Sequence, residues 1–352
     1  MDFEDKRIVI LVLLAAIALS FTARSMVWDS WMMPTYGNTN VHVASERELV
    51  KTGIYPIQND YSYGGGVPNL YVPVYRFAAS QFIVFFNGDF DFASRMMVML
   101  VALLLPLGFF ILTRRIFGTI AGLAAAFFAS IIPELLIYTV RPLPQALGLA
   151  LIPIVFFAFA AEKRNLALFL TVVTVLTHQE AGVFIVGCFF AIGILKTILE
   201  SWNENKLVID DYAKFAFACW AVGTVAYVGW HFFVMGNLNI FGLAQFEHHE
   251  GNVLEPKAFL DKTGYVVTAL SIIGLVSSLI LLSREKDMKK HLPLFFLLCC
   301  TLTGIGVVKN DLVGISVFMD RFLVFLQVPL IALAGIGVQS IKTILENYGE
   351  KA

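Results

Sequence analysis

His42 and Glu46 stand four residues apart in the run Val41 to Thr52 (VHVASERELVKT). That spacing puts both side chains on one face of a helix and suits a general base with a partner that orients it. The competing reading is a solvated amphipathic helix with Glu46 paired to a nearby cation. Thr177-His178-Gln179-Glu180 interrupts sequence that is otherwise apolar from Leu166 to Leu195. Lipid penalises such groups by a few kcal/mol per charge, so they face a wet cavity or form a short polar turn. Arg141, with Glu134 close by, and Arg321, after Asp320, lie at the borders of apolar runs. A guanidinium there can grip a phosphate bidentately. Arg141 reads equally well as a snorkelling side chain or an ion-pair partner of Glu134, and Arg321 as an ordinary membrane-end arginine.

Phe246-Glu247-His248-His249-Glu250 offers donors that suit zinc. Adjacent residues in a strand or helix point in different directions, so the competing reading is a loop without a ligand; no metal-ligand set is assigned and the cofactor is left open. Gly64-Gly65-Gly66 lacks the strand and helix of a nucleotide cradle. A net charge of -1 gives no footprint for nucleic acid. Cys188, Cys219, Cys299 and Cys300 lie inside apolar runs without metal spacing and read as packing residues.

Lipid-embedded helices must position these groups. The chain has 352 residues, 58% hydrophobic and 14% charged, with mean hydropathy +0.78, against about 25% charged in a soluble domain. A hydrocarbon core about 30 Å thick needs roughly 20 apolar residues per helical span. Ten runs qualify as spans: Ile8 to Ala23, Ser94 to Thr113, Thr119 to Glu134, Gln145 to Ala161, Leu166 to Thr177, Ala181 to Ile198, Lys214 to Met235, Gly264 to Ser283, Leu292 to Val308 and Phe322 to Ile341. The first is read as an uncleaved span, because Thr22-Ala23-Arg24-Ser25-Met26 supplies no signal-peptide cleavage site.

Leu70 to Phe86 decides the orientation. If it spans, Arg114-Arg115 and Lys163-Arg164 fall outside, against the positive-inside rule. If it is an amphipathic helix in the outer interface, those arginines and lysines, with Lys6-Arg7, Lys206, Arg284 to Lys290 and Lys342, become cytoplasmic. The second arrangement is adopted, with both termini cytoplasmic. His42, His178, His231, His248 and His249 then sit at or beyond the outer face and His291 inside, so the working side is extracytoplasmic. The expected fold is all-α and polytopic, one transmembrane domain over residues 1–352. Its long outer loops run over 27–93, with a short helix ending at Gly53 and the interfacial helix, and over 236–263.

The order of these pieces resembles the GT-C class of membrane glycosyltransferases, which includes oligosaccharyltransferases, protein O-mannosyltransferases and lipid A aminoarabinose transferases. Gly37-Asn38-Thr39-Asn40-Val41-His42 through Gly53-Ile54-Tyr55-Pro56 is similar to the class's Asp-x-x-x-His, helix and Gly-x-x-Pro. Leu70-Tyr71-Val72-Pro73-Val74-Tyr75 resembles its Tyr-Pro-Pro-Leu entrance to an interfacial helix, and Phe92-Ala93-Ser94-Arg95 its Ala-x-Arg. Asp320-Arg321-Phe322-Leu323 with Pro329 resembles its arginine-led last span.

The resemblance implies transfer of a sugar from a polyprenyl-phosphate donor at the outer face. On it, His42, Glu46 and His178 are the catalytic candidates, Arg141 and Arg321 the donor-phosphate ligands, and Asn38, Glu180, Tyr71 and Tyr75 the substrate contacts. Membrane lipids are the surroundings. Asn38 departs from the pattern, since the class has aspartate there and an amide cannot accept a proton from a hydroxyl near neutral pH. Glu46, Glu48, Asp29 or His42 takes the role, or the chain is a scaffold without catalysis. A lipid-linked saccharide flippase or transporter is the other rival. Sequence repeats and mid-span charges, which transporters commonly show, are not evident.

Overall fold

Apolar runs, proline positions and a few special glycines set the architecture. The computed structural model describes residues 5–26, 39–59, 66–236, 255–284, 291–314 and 319–349. Within them the chain forms α1 (Lys6–Ser25), α2 (Thr39–Thr52), α3 (Val74–Phe85), α4 (Phe90–Phe117), α5 (Thr119–Ile131), α6 (Pro133–Thr139) and α7 (Pro144–Ala160). It continues through α8 (Arg164–Val175), α9 (Gln179–Glu204), α10 (Asp211–Met235), α11 (Pro256–Thr263), α12 (Tyr265–Arg284), α13 (Leu292–Val308) and α14 (Met319–Gly349). The one extended pairing is two residues long, Gln58 opposite Pro68 and Asn59 opposite Val67. The fold is all-α.

Every one of the ten apolar runs falls on a helix. Among the described residues, α1, α4, α9, α10, α12 and the greater part of α14 are long and apolar enough to cross a membrane. Taken together, α5 and α6, bent by 62°, are also long and apolar enough, as a broken span or a re-entrant loop. The bend has a local cause: Ile132 precedes Pro133, and the proline ring keeps it out of helical geometry, at ψ 125°. The remaining three runs form α7, α8 and α13, of 17, 12 and 17 residues. At 1.5 Å per residue, α8 covers only about 18 Å, so Leu166 to Thr177 is too short to cross alone.

Helix α3 is equally short. It buries Tyr75, Arg76, Ala79, Ser80 and Ile83 and exposes Phe77, Val84 and Phe85, as an amphipathic helix does.

The core is aromatic. Phe159 stacks on Phe215 at 4.6 Å and on Phe296 at 5.3 Å, while Phe156 meets Phe296 edge-on at 5.0 Å. Around it, small residues let helix backbones touch, as membrane packing requires. Gly274 of α12 lies against the Leu333 carbonyl of α14, and Gly337 against the Leu270 carbonyl. Ser271 Oγ donates to Leu330 O across the same seam at 2.8 Å.

Helix α1 carries a fully buried arginine into this environment. Arg24 donates to Thr139 Oγ1 of α6 at 2.8 Å and to Ser20 Oγ at 2.8 Å. Its partners are neutral, so hydrogen bonds rather than an ion pair satisfy the guanidinium.

Candidate active site

Helix α2 builds the first wall. Its buried stripe is His42, Ser45, Glu46 and Leu49, the i, i+3, i+4, i+7 pattern of a core-facing helix with two titratable groups on the apolar face. Gly53 follows at φ +69°, with its N–H donating to Leu49 O at 2.9 Å, and turns the chain away. The reading of α2 as a solvated amphipathic helix is therefore overturned, while a cation, Arg76, does act on Glu46. His42 and Glu46 are 2% and 3% exposed.

The segment from Leu70 to Val74 is suspended across the mouth of the bundle. Gln179 Nε2 and Trp230 Nε1 both donate to Leu70 O, at 2.8 and 3.3 Å, and Val74 N donates to Leu176 O at 2.9 Å. This places Tyr71 edge-on to the His42 ring at 4.7 Å, with Tyr75 of α3 at 6.1 Å.

Arg76 of α3 completes that wall, and the sequence argument gave it no role. It is 1% exposed. Its Nε donates to His42 Nδ1 at 3.4 Å and its Nη1 to Tyr55 Oη at 3.0 Å. The guanidinium also lies over the Tyr71 ring at 5.3 Å, within cation–π range. Burial depresses His42 to about 3, helped by the charge of Arg76 and by His178. Burial raises Glu46 to about 8, although the Arg76 charge pulls the other way. Near neutral pH His42 is neutral, and Glu46 holds its proton or sits near its midpoint.

The opposite wall comes from the junction of α8 and α9. His178 caps α9 by accepting from Ala181 N at 3.3 Å through Nδ1. Gly148 of α7 makes the room: a Cβ there would meet His178 Cβ at 2.9 Å. Burial pushes His178 down to about 3, with Arg321 adding to the effect. Glu180 stands next to it, 3.5 Å from Gln145 Nε2 and 4.0 Å from Nη1 of Arg321 at the start of α14.

His42, Tyr71, His178, Glu180 and Arg321 line one cavity of about 310 Å³, with Leu143 to Gln145 and Thr177. Five of the residues expected from sequence thus converge from four separate stretches of chain. Glu46 and Tyr75 are buried but not among the residues that line the cavity. Asn38 falls outside the described residues, as do Asp29, Gly64-Gly65 and the Phe246 to Glu250 run.

Arg141 is not among the lining residues. Its guanidinium lies 6.0 Å from the Tyr138 ring, two positions before Leu143 at the cavity edge. Glu134 pairs with Lys262 of α11 at 3.1 Å, because α11 packs on α6, and the charge of Arg141 also acts on its carboxyl. Among the described residues no three His, Cys, Asp or Glu side chains group closely enough to hold a metal ion.

Arg76 was the residue sequence reasoning missed. Its signal was a lone charge on a segment whose other members at helical spacing, Tyr75, Ala79 and Ile83, are core types.

No family model and no curated protein matches the chain. Solved structures do. The oligosaccharyltransferase AglB from Archaeoglobus fulgidus, in complex with an inhibitory peptide and a dolichol-phosphate, aligns with a TM-score of 0.69 at 13% identity, over 99% of this chain and 52% of that one. ArnT from Cupriavidus metallidurans, bound to undecaprenyl phosphate, aligns with a TM-score of 0.65 at 14% identity, over 95% and 60%. The chain spans about half the length of the oligosaccharyltransferase and three fifths of ArnT. Its fold is GT-C-like.

Proposed function

We propose that this GT-C-like chain is a membrane glycosyltransferase that takes a sugar from a polyprenyl-phosphate donor in the cavity between α2, α9 and α14. Residues 1–352 act as one transmembrane domain, α3 lies in the interface, and the cavity opens on the extracytoplasmic side. One observation carries the reading. His42, His178, Glu180 and Arg321, more than 270 residues apart at the extremes, share a single cavity in a fold whose solved neighbours hold dolichol-phosphate and undecaprenyl phosphate.

Each group then has a task. Arg321, half exposed, grips the donor phosphate by charge-assisted hydrogen bonds, with Arg141 at the rim. His42 and His178 are too weakly basic to serve as the base, and Asn38 has no basic group. Glu180 is the sole carboxylate among the described lining residues, so it accepts the acceptor hydroxyl's proton. The acceptor oxygen bonds to the anomeric carbon as the bond from that carbon to the phosphate oxygen breaks, and the polyprenyl phosphate leaves as an anion.

A lipid-binding scaffold without turnover is the second reading, favoured by Asn38 where the class has aspartate. Reconstitution in vesicles with undecaprenyl-phosphate-linked or dolichyl-phosphate-linked sugars separates the two. The expected outcome is transfer by the wild type, loss of at least tenfold in lipid-phosphate affinity for Arg321→Ala, and retained binding without transfer for Glu180→Gln. Binding without transfer in the wild type selects the scaffold. A wild type that binds neither lipid phosphate sinks both.

A further inference from the structure

Two imidazoles on opposite walls of the cavity are held by the same nitrogen. His42 Nδ1 accepts from Arg76 Nε at 3.4 Å, and His178 Nδ1 accepts from the Ala181 N–H at 3.3 Å. A neutral imidazole has one acceptor nitrogen and one N–H. Using Nδ1 as acceptor fixes the proton on Nε2. The donor in each case has no alternative role: a backbone N–H cannot accept, and a guanidinium cannot be deprotonated in a protein.

We infer that Arg76 is a positioning residue, which holds His42 as a neutral Nε2–H donor and, with His178 fixed in the same tautomer, makes the cavity a two-donor cradle for phosphoryl oxygens beside Arg321. The oxygen-rich ligand rests on the lipid-phosphate reading above; the tautomers do not.

Among the described residues, the groups facing His42 from every packed element agree with this state. Arg76 comes from α3, His178 from the α8–α9 junction, Tyr71 and Tyr75 from either side of Pro73, and Glu46 from its own helix. The only carboxyl among them, Glu46, is raised to about 8, so it supplies little negative charge near neutral pH to favour an imidazolium. The depressed values of both histidines, about 3, fit the same picture. Arg76 Nη1 donates to Tyr55 Oη at 3.0 Å, and its guanidinium lies 5.8 and 5.3 Å from the Tyr55 and Tyr71 ring centres. Its Nη2 has no hydrogen-bond partner among the described residues. A neutral donor is the better choice beside Arg321: it binds an oxyanion without adding a third positive charge to a low-dielectric site.

Nitrogen NMR of the full chain, labelled at histidine and held in nanodiscs, tests the inference. His42→Asn and His178→Asn assign the signals. Between pH 5 and 8 both rings should show an unprotonated Nδ1 and a protonated Nε2. In folded Arg76→Lys, which keeps the charge but loses the fixed Nε donor, the His42 signal should move toward a tautomer mixture while His178 stays unchanged. Titration of His42 near its ordinary 6.5, a protonated Nδ1, or an unchanged His42 signal in Arg76→Lys would overturn the proposal. If that variant does not fold, the wild-type tautomer decides. Undecaprenyl phosphate added to the wild type should shift both Nε2–H resonances. Binding of the lipid with neither resonance moved overturns the cradle. Lipid that fails to bind defeats the proposed function instead, and leaves the Arg76 assignment to the tautomer result.

Discussion

Glu46, His42 and His178 couple the fold to pH in opposite directions. The Glu46 carboxyl is raised from 4.5 to about 8, so the folded state holds a proton that the unfolded chain releases. Its stabilisation is complete below about 4.5 and is lost as pH rises through 8. The histidines are lowered from 6.5 to about 3; their stabilisation is complete above 6.5 and is lost as pH falls toward 3. Glu46→Gln, which mimics the protonated acid, is expected to abolish the alkaline decline, an effect on the order of a few kcal/mol at pH 9, and to leave the acid decline in place. Thermal unfolding in detergent from pH 4 to 9 measures both; equal alkaline slopes in the two proteins would contradict the assignment. Much of this site was legible as sequence, because a histidine and a glutamate inside apolar runs at Thr177 to Glu180 have few innocent explanations. Arg76 was not, since one arginine in a short apolar segment looks the same whether it faces lipid headgroups or points inward to His42. Nor could spacing reveal that Lys262, 128 residues further along, pairs with Glu134.

Helices meet here through glycine and serine, and the consequences can be measured at individual seams. A Cβ on Gly148 would sit 2.9 Å from His178 Cβ and 3.0 Å from Ala181 Cβ, so α7 and α9 must separate to admit one. Gly148→Val is expected to cost about 1–3 kcal/mol of overpacking and to reduce lipid-phosphate binding along with stability. Gly274→Val, at the seam of α12 with α14, meets the Leu333 backbone. It should destabilise by a similar amount without touching the cavity. Comparing unfolding temperature and lipid affinity in the two variants tests this division of labour; equal loss of affinity in both would refute it. The ten apolar runs were readable because period and length announce a helix in lipid. The bend at Ile132 was implicit in the proline that follows it. The shortness of α8 was visible in its run, which is itself 12 residues long; what spacing could not show is that the Leu176 carbonyl turns to Val74.

Taken whole, the molecule draws the connections around the cavity together: α2, the Leu70 to Val74 segment, α6 to α7, α8 to α9, and α11 before α12. Lys262 ties α11 to Glu134 there, its side chain 36% exposed against 3% for its partner. Lys262→Met strands a buried carboxylate, and is expected to destabilise more than the double variant with Glu134→Gln, since breaking a buried pair exceeds replacing it. A double variant as unstable as the single would contradict that. Arg24 imposes a schedule as well as a contact. Thr139 lies 115 residues further along the chain, roughly 6 to 23 seconds of synthesis at 5–20 residues per second. Until Ser130 and Thr139 have been made, the guanidinium has only Ser20 of its own helix among these partners, so α1 settles in its final position only after α5 and α6 have followed it.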